Sequence, residues 1–201
     1  VGIDPRKENH PIYEEQSKYY ANQLGFFETE KKAEFHCSPA EEFDFDQYKD
    51  TFDIIFTSPP YFGVERYSYD DTQSWVRYKT IDEWNDKFLQ TTIKKLWGSI
   101  KSGGYLLVNI SDVYASSGAK QKRLNSHGKK WLEICNPMND FVSTFTDSEY
   151  QGCIGMEMAK RPNSGGAGTA AEDRFKDETR ELAEKTKDKT FCEPIWIWKK
   201  L

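Results

Sequence analysis

Histidine and cysteine are too sparse in this chain to gather a metal. It has three histidines and four cysteines. Cys37, Cys135, Cys153 and Cys192 lie far apart, and no C-x-x-C occurs, which leaves no zinc spacing. Four scattered thiols suggest buried free cysteines in a reducing cytoplasm, and no metal is expected. No apolar run approaches the ~20 residues a membrane-spanning helix needs, so no membrane is expected as a partner. The opening residues, VGIDPRKENH, lack the basic leader and apolar stretch of a signal peptide. A positive surplus is missing too. Lys and Arg total 28 against 33 acids, giving a net charge of −5, so the whole chain is not a polybasic nucleic-acid binder. A local basic patch on an acidic enzyme can still hold DNA. There is no internal repeat.

What is present suits one globular domain over 1–201. The chain is 37% hydrophobic over 201 residues, enough for a real core. Aromatics reach 15%, with six tryptophans, which speaks against disorder. Val1–Asp4 reads as the tail of a buried strand that ends in an acid before Pro5. Pro11 opens a helical pattern with Tyr13, Ser17, Tyr20 and Leu24 on one side and Gly25 as its stop. Ala33–Cys37 is a second strand. Phe52–Thr57 (FDIIFT) is a third and reads as buried on both faces.

Thr80 to Ile100 is the clearest helix. Thr80 and Glu83 form a capping box, and Ile81, Trp84, Phe88, Leu89, Ile93, Leu96, Trp97 and Ile100 recur at helical spacing. Lys101–Gly104 is a turn, and Tyr105–Ile110 (YLLVNI) is another buried strand. Asn136 and Pro137 cap and start a helix running to about Ser148. Tyr150–Ala159 and Pro194–Trp198 are the last strands, expected as an antiparallel hairpin at one sheet edge. Trp84, Trp97, Trp196 and Trp198 are expected in the core, as are Met156 and Met158. Residues 162–190 combine a flexible loop with a charged segment. Strands alternating with helices imply an α/β fold with a mostly parallel sheet.

The chemistry concentrates where FDIIFT runs into Ser58-Pro59-Pro60-Tyr61. In open α/β sheets ligands sit beyond the carboxyl ends of strands, so this turn lies where an active site belongs. Two prolines fix φ and remove two donors, which leaves a stiff loop presenting acceptors. An amine nitrogen attacking a methyl group develops positive charge. Acceptors aimed at its hydrogens orient the lone pair and stabilise that charge, and the Ser58 side chain and Pro59 carbonyl suit this role. Tyr61 suits stacking on a planar base flipped out of a duplex. His36 and His127 read as structural, because methyl transfer to an amine needs no histidine base.

Ser58-Pro59-Pro60-Tyr61 resembles the (Asp/Asn/Ser)-Pro-Pro-(Tyr/Phe) motif of the S-adenosylmethionine-dependent DNA amino-methyltransferases, which methylate adenine N6 or cytosine N4. That resemblance implies a Rossmann-like class I methyltransferase sheet, S-adenosylmethionine as cofactor and DNA, single- or double-stranded, as partner. It makes Ser58, Pro59, Pro60 and Tyr61 catalytic. Val1-Gly2-Ile3-Asp4 resembles the second-strand motif, whose acid accepts from the cofactor ribose. Phe35–Glu41 resembles the segment lining the adenine pocket, which assigns Cys37, Ser38, Ala40 and Glu41 to the cofactor; Thr57, the last residue before the catalytic turn, joins them. Leu96–Asp112 resembles the helix, Gly-Gly turn and strand after the catalytic loop. Met158–Asn163 and Glu193–Lys200 resemble the closing hairpin of phage-type members.

The family's first strand and Gly-rich loop, which hold the methionine end of the cofactor, find no match upstream of Asp4. Glycine serves there for tight turning and close backbone approach. The expectation is therefore a sheet lacking its first strand, weak cofactor binding by these residues alone, and a truncated chain or a partner chain that supplies the motif. The alternative is a catalytically inactive, methyltransferase-like nucleic-acid-binding subunit. For phosphate contacts, residues 118–130 carry Lys120, Lys122, Arg123, Lys129 and Lys130 with no acid, though a solvated loop explains them equally. Arg66 and Arg77 flank an aromatic run that suits an unpaired strand or ordinary surface packing.

Overall fold

The computed structural model describes residues 1–23, 33–114, 131–158 and 191–201. Strands β1 (Gly2–Ile3) and β2 (Phe35–His36) pair in parallel. Helix α1 (His10–Gln23), with Pro11 in its first turn, lies between them in sequence. β3 (Phe52–Thr57) pairs in parallel with β4 (Ile100–Asn109). β4 then pairs antiparallel with β8 (Phe191–Lys200), and β8 with β7 (Ser148–Met158), so the main sheet has the order β3-β4-β8-β7. The α/β class and the antiparallel C-terminal hairpin follow the sequence expectation. A small antiparallel pair, β5 (Val113–Tyr114) with β6 (Trp131–Leu132), has no forerunner in the sequence reading.

The expected long helix comes in pieces. α2 (Ser74–Arg77) precedes it. α3 (Ile81–Glu83), a π-helical stretch over Trp84–Gln90 and α4 (Thr91–Ser99) then follow without a break. Thr80 caps it by accepting from the Glu83 N–H at 3.2 Å, while the Glu83 carboxylate reaches back to the Lys79 N–H at 3.1 Å. The expected turn at Lys101–Gly104 is a bulge inside β4, where the partner of Phe52 is Ile100 but that of Ile54 is already Tyr105. Gly103 takes φ +82° there, and a Cβ on Gly104 would stand 2.8 Å from the Asp53 carbonyl oxygen.

Most of the core lies on one side of the main sheet. Leu106, Val108, Trp196 and Trp198 point from it onto Trp84, Ile93, Leu96 and Trp97, with α5 (Cys135–Val142) closing the layer. All four tryptophans expected in the core are buried. Tyr20 is an exception to the expected apolar side of α1 and stands exposed. The two-faced burial expected of FDIIFT is corrected. Ile55 packs on the core, but Ile54 and Phe56 on the other face are 63% and 54% exposed. Among the described residues β3 pairs with β4 alone, so hydrophobicity that matches a central strand here sits at a sheet edge. Buried cysteines hold only in part: Cys135 is buried, Cys153 half-buried and Cys37 exposed. Among the described residues no helix is long and apolar enough to cross a membrane.

Candidate active site

β1 and β2 form a two-stranded sheet of their own and lead into Asp4 and Cys37, while β3, in the main sheet, leads into Ser58. The Asp4 N–H donates to the His36 carbonyl at 3.1 Å, which ties the end of β1 to β2. The Asp4 carboxylate is built in by its neighbours. Oδ1 accepts from the Arg6 N–H at 2.8 Å, and Oδ2 accepts from Asn9 Nδ2 at 2.9 Å and from the Tyr13 hydroxyl at 2.5 Å. Burial raises its pKa, but the bonds from Tyr13, Asn9 and Arg6 outweigh that and hold it below its usual 3.8. Oδ1 takes a single one of these bonds and keeps acceptor capacity for a hydroxyl.

Cys37 Sγ lies 3.7 Å from the Pro5 carbonyl oxygen, so the two strand ends stay in contact. Ser38 bonds the Pro39 carbonyl, and Ala40 sits half-buried in the turn that follows. Glu41 is buried. Its carboxylate accepts from the Tyr78 hydroxyl at 3.2 Å and from Arg77 at 3.4 Å. Glu42 also binds the Arg77 guanidinium, which therefore faces two acids of this chain. His36 contacts Glu34 and the Tyr48 hydroxyl, a structural placement.

Thr57 ends β3 opposite Val108. Ser58 follows the strand and is exposed, and Pro59 after it is buried. The Ser58 hydroxyl donates to Asn109 Oδ1 at 3.1 Å, across to the end of β4. The Asn109 Nδ2 donates in turn to the Pro194 carbonyl at 3.0 Å. Tyr61 opens a turn in which the Val64 and Glu65 N–H groups point to its carbonyl, with Gly63 at φ 65°. The Glu65 carboxylate clamps the same turn by accepting from the Tyr61 N–H at 2.8 Å. The Tyr61 ring is half-buried against the core, and burial pushes its hydroxyl up to about 12, so it stays protonated at any working pH. Phe62 anchors the loop through Trp84, at 5.9 Å between centroids. Arg66 lies over the Trp75 ring at 5.0 Å and donates to the Gly63 carbonyl.

Asn109, Glu65, Asn9 and Tyr13 belong to this site and escaped the sequence reading. Two left a signal. Asn109 is the one polar residue in YLLVNI, and a lone polar residue in a buried strand needs partners. Glu65 follows Tyr61 by four residues, which suits a side chain folding back on its own turn. Lys120, Lys122, Arg123, Lys129 and Lys130 lie outside the described residues, as do 159–190. Among the described residues no three His, Cys, Asp or Glu gather as metal ligands.

No protein-family model matches the chain, and no curated protein matches it either. Solved structures with a similar course include a protein of Thermus thermophilus described as a candidate DNA modification methylase and crystallised with S-adenosyl-L-methionine; at 15% identity the match covers 81% of this chain and 53% of that one, with a TM-score of 0.46. A SAM-dependent methyltransferase of Methanosarcina mazei is 13% identical over 100% of this chain and 81% of that one, with a TM-score of 0.46. The MccD protein is 13% identical over 100% and 79%, with a TM-score of 0.48. The chain spans about half the length of the Thermus protein. At these identities and scores the likenesses carry no activity across to this chain.

Proposed function

We propose that this chain transfers a methyl group from S-adenosylmethionine to an exocyclic amino nitrogen of a base in DNA, cytosine N4 or adenine N6. The observation that carries the reading is the seat of Ser58-Pro59-Pro60-Tyr61. It leaves the carboxyl end of a parallel strand, with Ser58 exposed, Pro59 buried and the following turn clamped by Glu65. A rigid loop of acceptors is what an attacking amine needs, since it must keep its lone pair on the methyl carbon while its hydrogens are held.

The cofactor fits at its ribose end. Asp4, tied to Cys37 through the Pro5 carbonyl, retains acceptor capacity, so it would take the ribose hydroxyls, with Ser38 and Ala40 following Cys37 in sequence and Thr57 proposed from the end of β3. When bound, S-adenosylmethionine supplies an electrophilic methyl on a sulfonium. Ser58 Oγ and the Pro59 carbonyl would accept the amine hydrogens, and the face of Tyr61 would meet the base ring. On taking that methyl, which would leave a neutral thioether behind, the amine would shed one proton to water. Glu41 serves by holding the adenine-side turn through Tyr78 and Arg77. Arg66, backed by Trp75, suits a phosphate or base contact; Arg77 would reach a phosphate only by leaving Glu41 and Glu42. The basic run Lys120, Lys122, Arg123, Lys129 and Lys130 is proposed to meet DNA phosphates.

The test is transfer of tritium from methyl-labelled S-adenosylmethionine to DNA, with the product nucleoside identified by mass spectrometry. The expected product is N4-methylcytosine or N6-methyladenine, and Ser58→Ala lowers the rate by on the order of 10²-fold. DNA retention in a mobility-shift assay with no label transferred even at saturating S-adenosylmethionine would instead favour the non-catalytic, nucleic-acid-binding reading.

A further inference from the structure

We infer that Asn109 is a positioning residue that fixes the Ser58 hydroxyl as an acceptor facing the substrate amine. The inference rests on the methyl-transfer reading above and adds a residue and a proton position to it.

The argument starts from Pro194. A peptide carbonyl can only accept, so the Asn109 atom 3.0 Å from it must be the NH₂ nitrogen. The amide has no other orientation that satisfies Pro194. Its oxygen then faces Ser58 Oγ at 3.1 Å. An amide oxygen has no proton to give, so the contact is attractive only if Ser58 donates. Ser58 has one hydroxyl hydrogen, and Asn109 takes it. Both Ser58 lone pairs are thereby left for an incoming N–H. Asn109 is 1% exposed, which keeps water from its bond to Pro194, and the Asn109–Ile195 pairing of β4 with β8 holds that end of the relay in place.

The direction matters. A serine hydroxyl free to rotate could donate to the amine lone pair, which is the pair that must attack carbon. The Asn109 relay removes that unproductive orientation. It also defines what Ser58 is not. A neutral amide takes up no proton at working pH, so Ser58 is an acceptor and not a base, and the proton shed by the amine goes to solvent.

Four variants test this in the methyl-transfer assay: Asn109→Leu, Asn109→Asp, Ser58→Ala and the Ser58→Ala/Asn109→Leu double variant. Asn109→Leu should lower kcat by on the order of tenfold or more, with KM for DNA and cofactor within about twofold. In the Ser58→Ala background the same change should have no further effect, because both act through one hydroxyl. Multiplicative losses would overturn the inference, as would an Asn109→Leu effect confined to KM.

Should Asn109→Leu fail to fold, Asn109→Asp decides. A protonated aspartic acid donates to Pro194 and accepts from Ser58 as the amide does, whereas a carboxylate turns an oxygen on the Pro194 carbonyl. Burial raises the pKa of such an acid. The ratio of Asn109→Asp to wild-type activity should therefore rise as pH falls; a ratio that stays flat would overturn the proposal.

If the wild-type chain transfers no methyl group, the methyl-transfer reading fails on its own, and neutron diffraction from the deuterated protein settles the relay. A Ser58 deuterium on the line to Asn109 Oδ1 supports it, and one pointing to solvent overturns it.

Discussion

Asp4 shows how much a single residue depends on side chains its own sequence position does not reveal. An acid closing a short apolar strand before proline is legible as a strand end. That Asn9 and Tyr13 donate to the same oxygen is not, because α1 reads only as an amphipathic pattern. The consequence is a stability linkage. The folded pKa of Asp4 lies below 3.8, so its contribution is fully present above that value and is lost as pH falls through the folded pKa. Tyr13→Phe removes a donor to the charged form and lets the folded pKa rise. The expected result is acid unfolding at a higher pH, with a loss of about 1 kcal/mol at neutral pH, read by denaturant melts at pH 7 and an acid titration followed by circular dichroism. Arg77 gives the converse lesson. Among aromatics it reads as an available cation, yet Glu41 and Glu42, 36 and 35 residues away in sequence, hold it. Pairs at that separation are made by the fold and leave no local pattern.

At the scale of elements, the legible features are those whose partners are close in sequence. The Thr80–Glu83 cap is one, and the Gly103-Gly104 turn is another, although it proves to be a bulge within β4. Gly104→Ala would drive a Cβ against the Asp53 carbonyl and the Ile100 side chain, at 2.8 and 2.7 Å, with backbone on one side that cannot step away. A loss of about 1–3 kcal/mol is expected in a thermal or urea melt. α5 is the opposite case. Asn136-Pro137 suggests a local cap and a helix to about Ser148, but the helix spans Cys135–Val142 and its cap comes from Asp112. That carboxylate accepts from the Ile134 N–H at 2.8 Å and the Cys135 N–H at 3.0 Å. Two donors at a helix start that would otherwise be orphaned are satisfied from 22 and 23 residues upstream. Asp112→Ala should therefore cost about 1–2 kcal/mol, whereas Asn136→Ala should change stability by no more than about 0.5 kcal/mol. Paired melts of the two variants check this, and equal losses would return the cap to Asn136.

For the molecule as a whole, the main sheet buries one face along its length and the other only around Asn109 and Ile195. Leu106, Val108, Trp196 and Trp198 meet helices, while Ile54, Phe56 and Ile154 look outward, with Ile154 51% exposed. Hydrophobic content alone predicts a strand buried on both sides and says nothing of whether a neighbour is there to bury it, which is why FDIIFT misleads. β3 combines those exposed side chains with an edge that, among the described residues, carries no second strand in the β3-β4-β8-β7 order. Exposed apolar edge strands pair with one another, and the one charge within residues 52–57, Asp53, stands at the start of the strand and is neutralised by Lys101. The 201-residue chain should accordingly self-associate as concentration rises. Ile54→Lys with Phe56→Lys should suppress this, because charge on an edge strand blocks edge-to-edge pairing, and it should do so at little cost in stability, since both side chains already meet solvent. Sedimentation velocity across a concentration series separates the outcomes. A wild-type distribution that shifts to larger species while the double variant stays monomeric locates the contact on β3. A wild-type chain that stays monomeric throughout would mean that the apolar edge is not adhesive, and that twist or shape, not charge, keeps it apart.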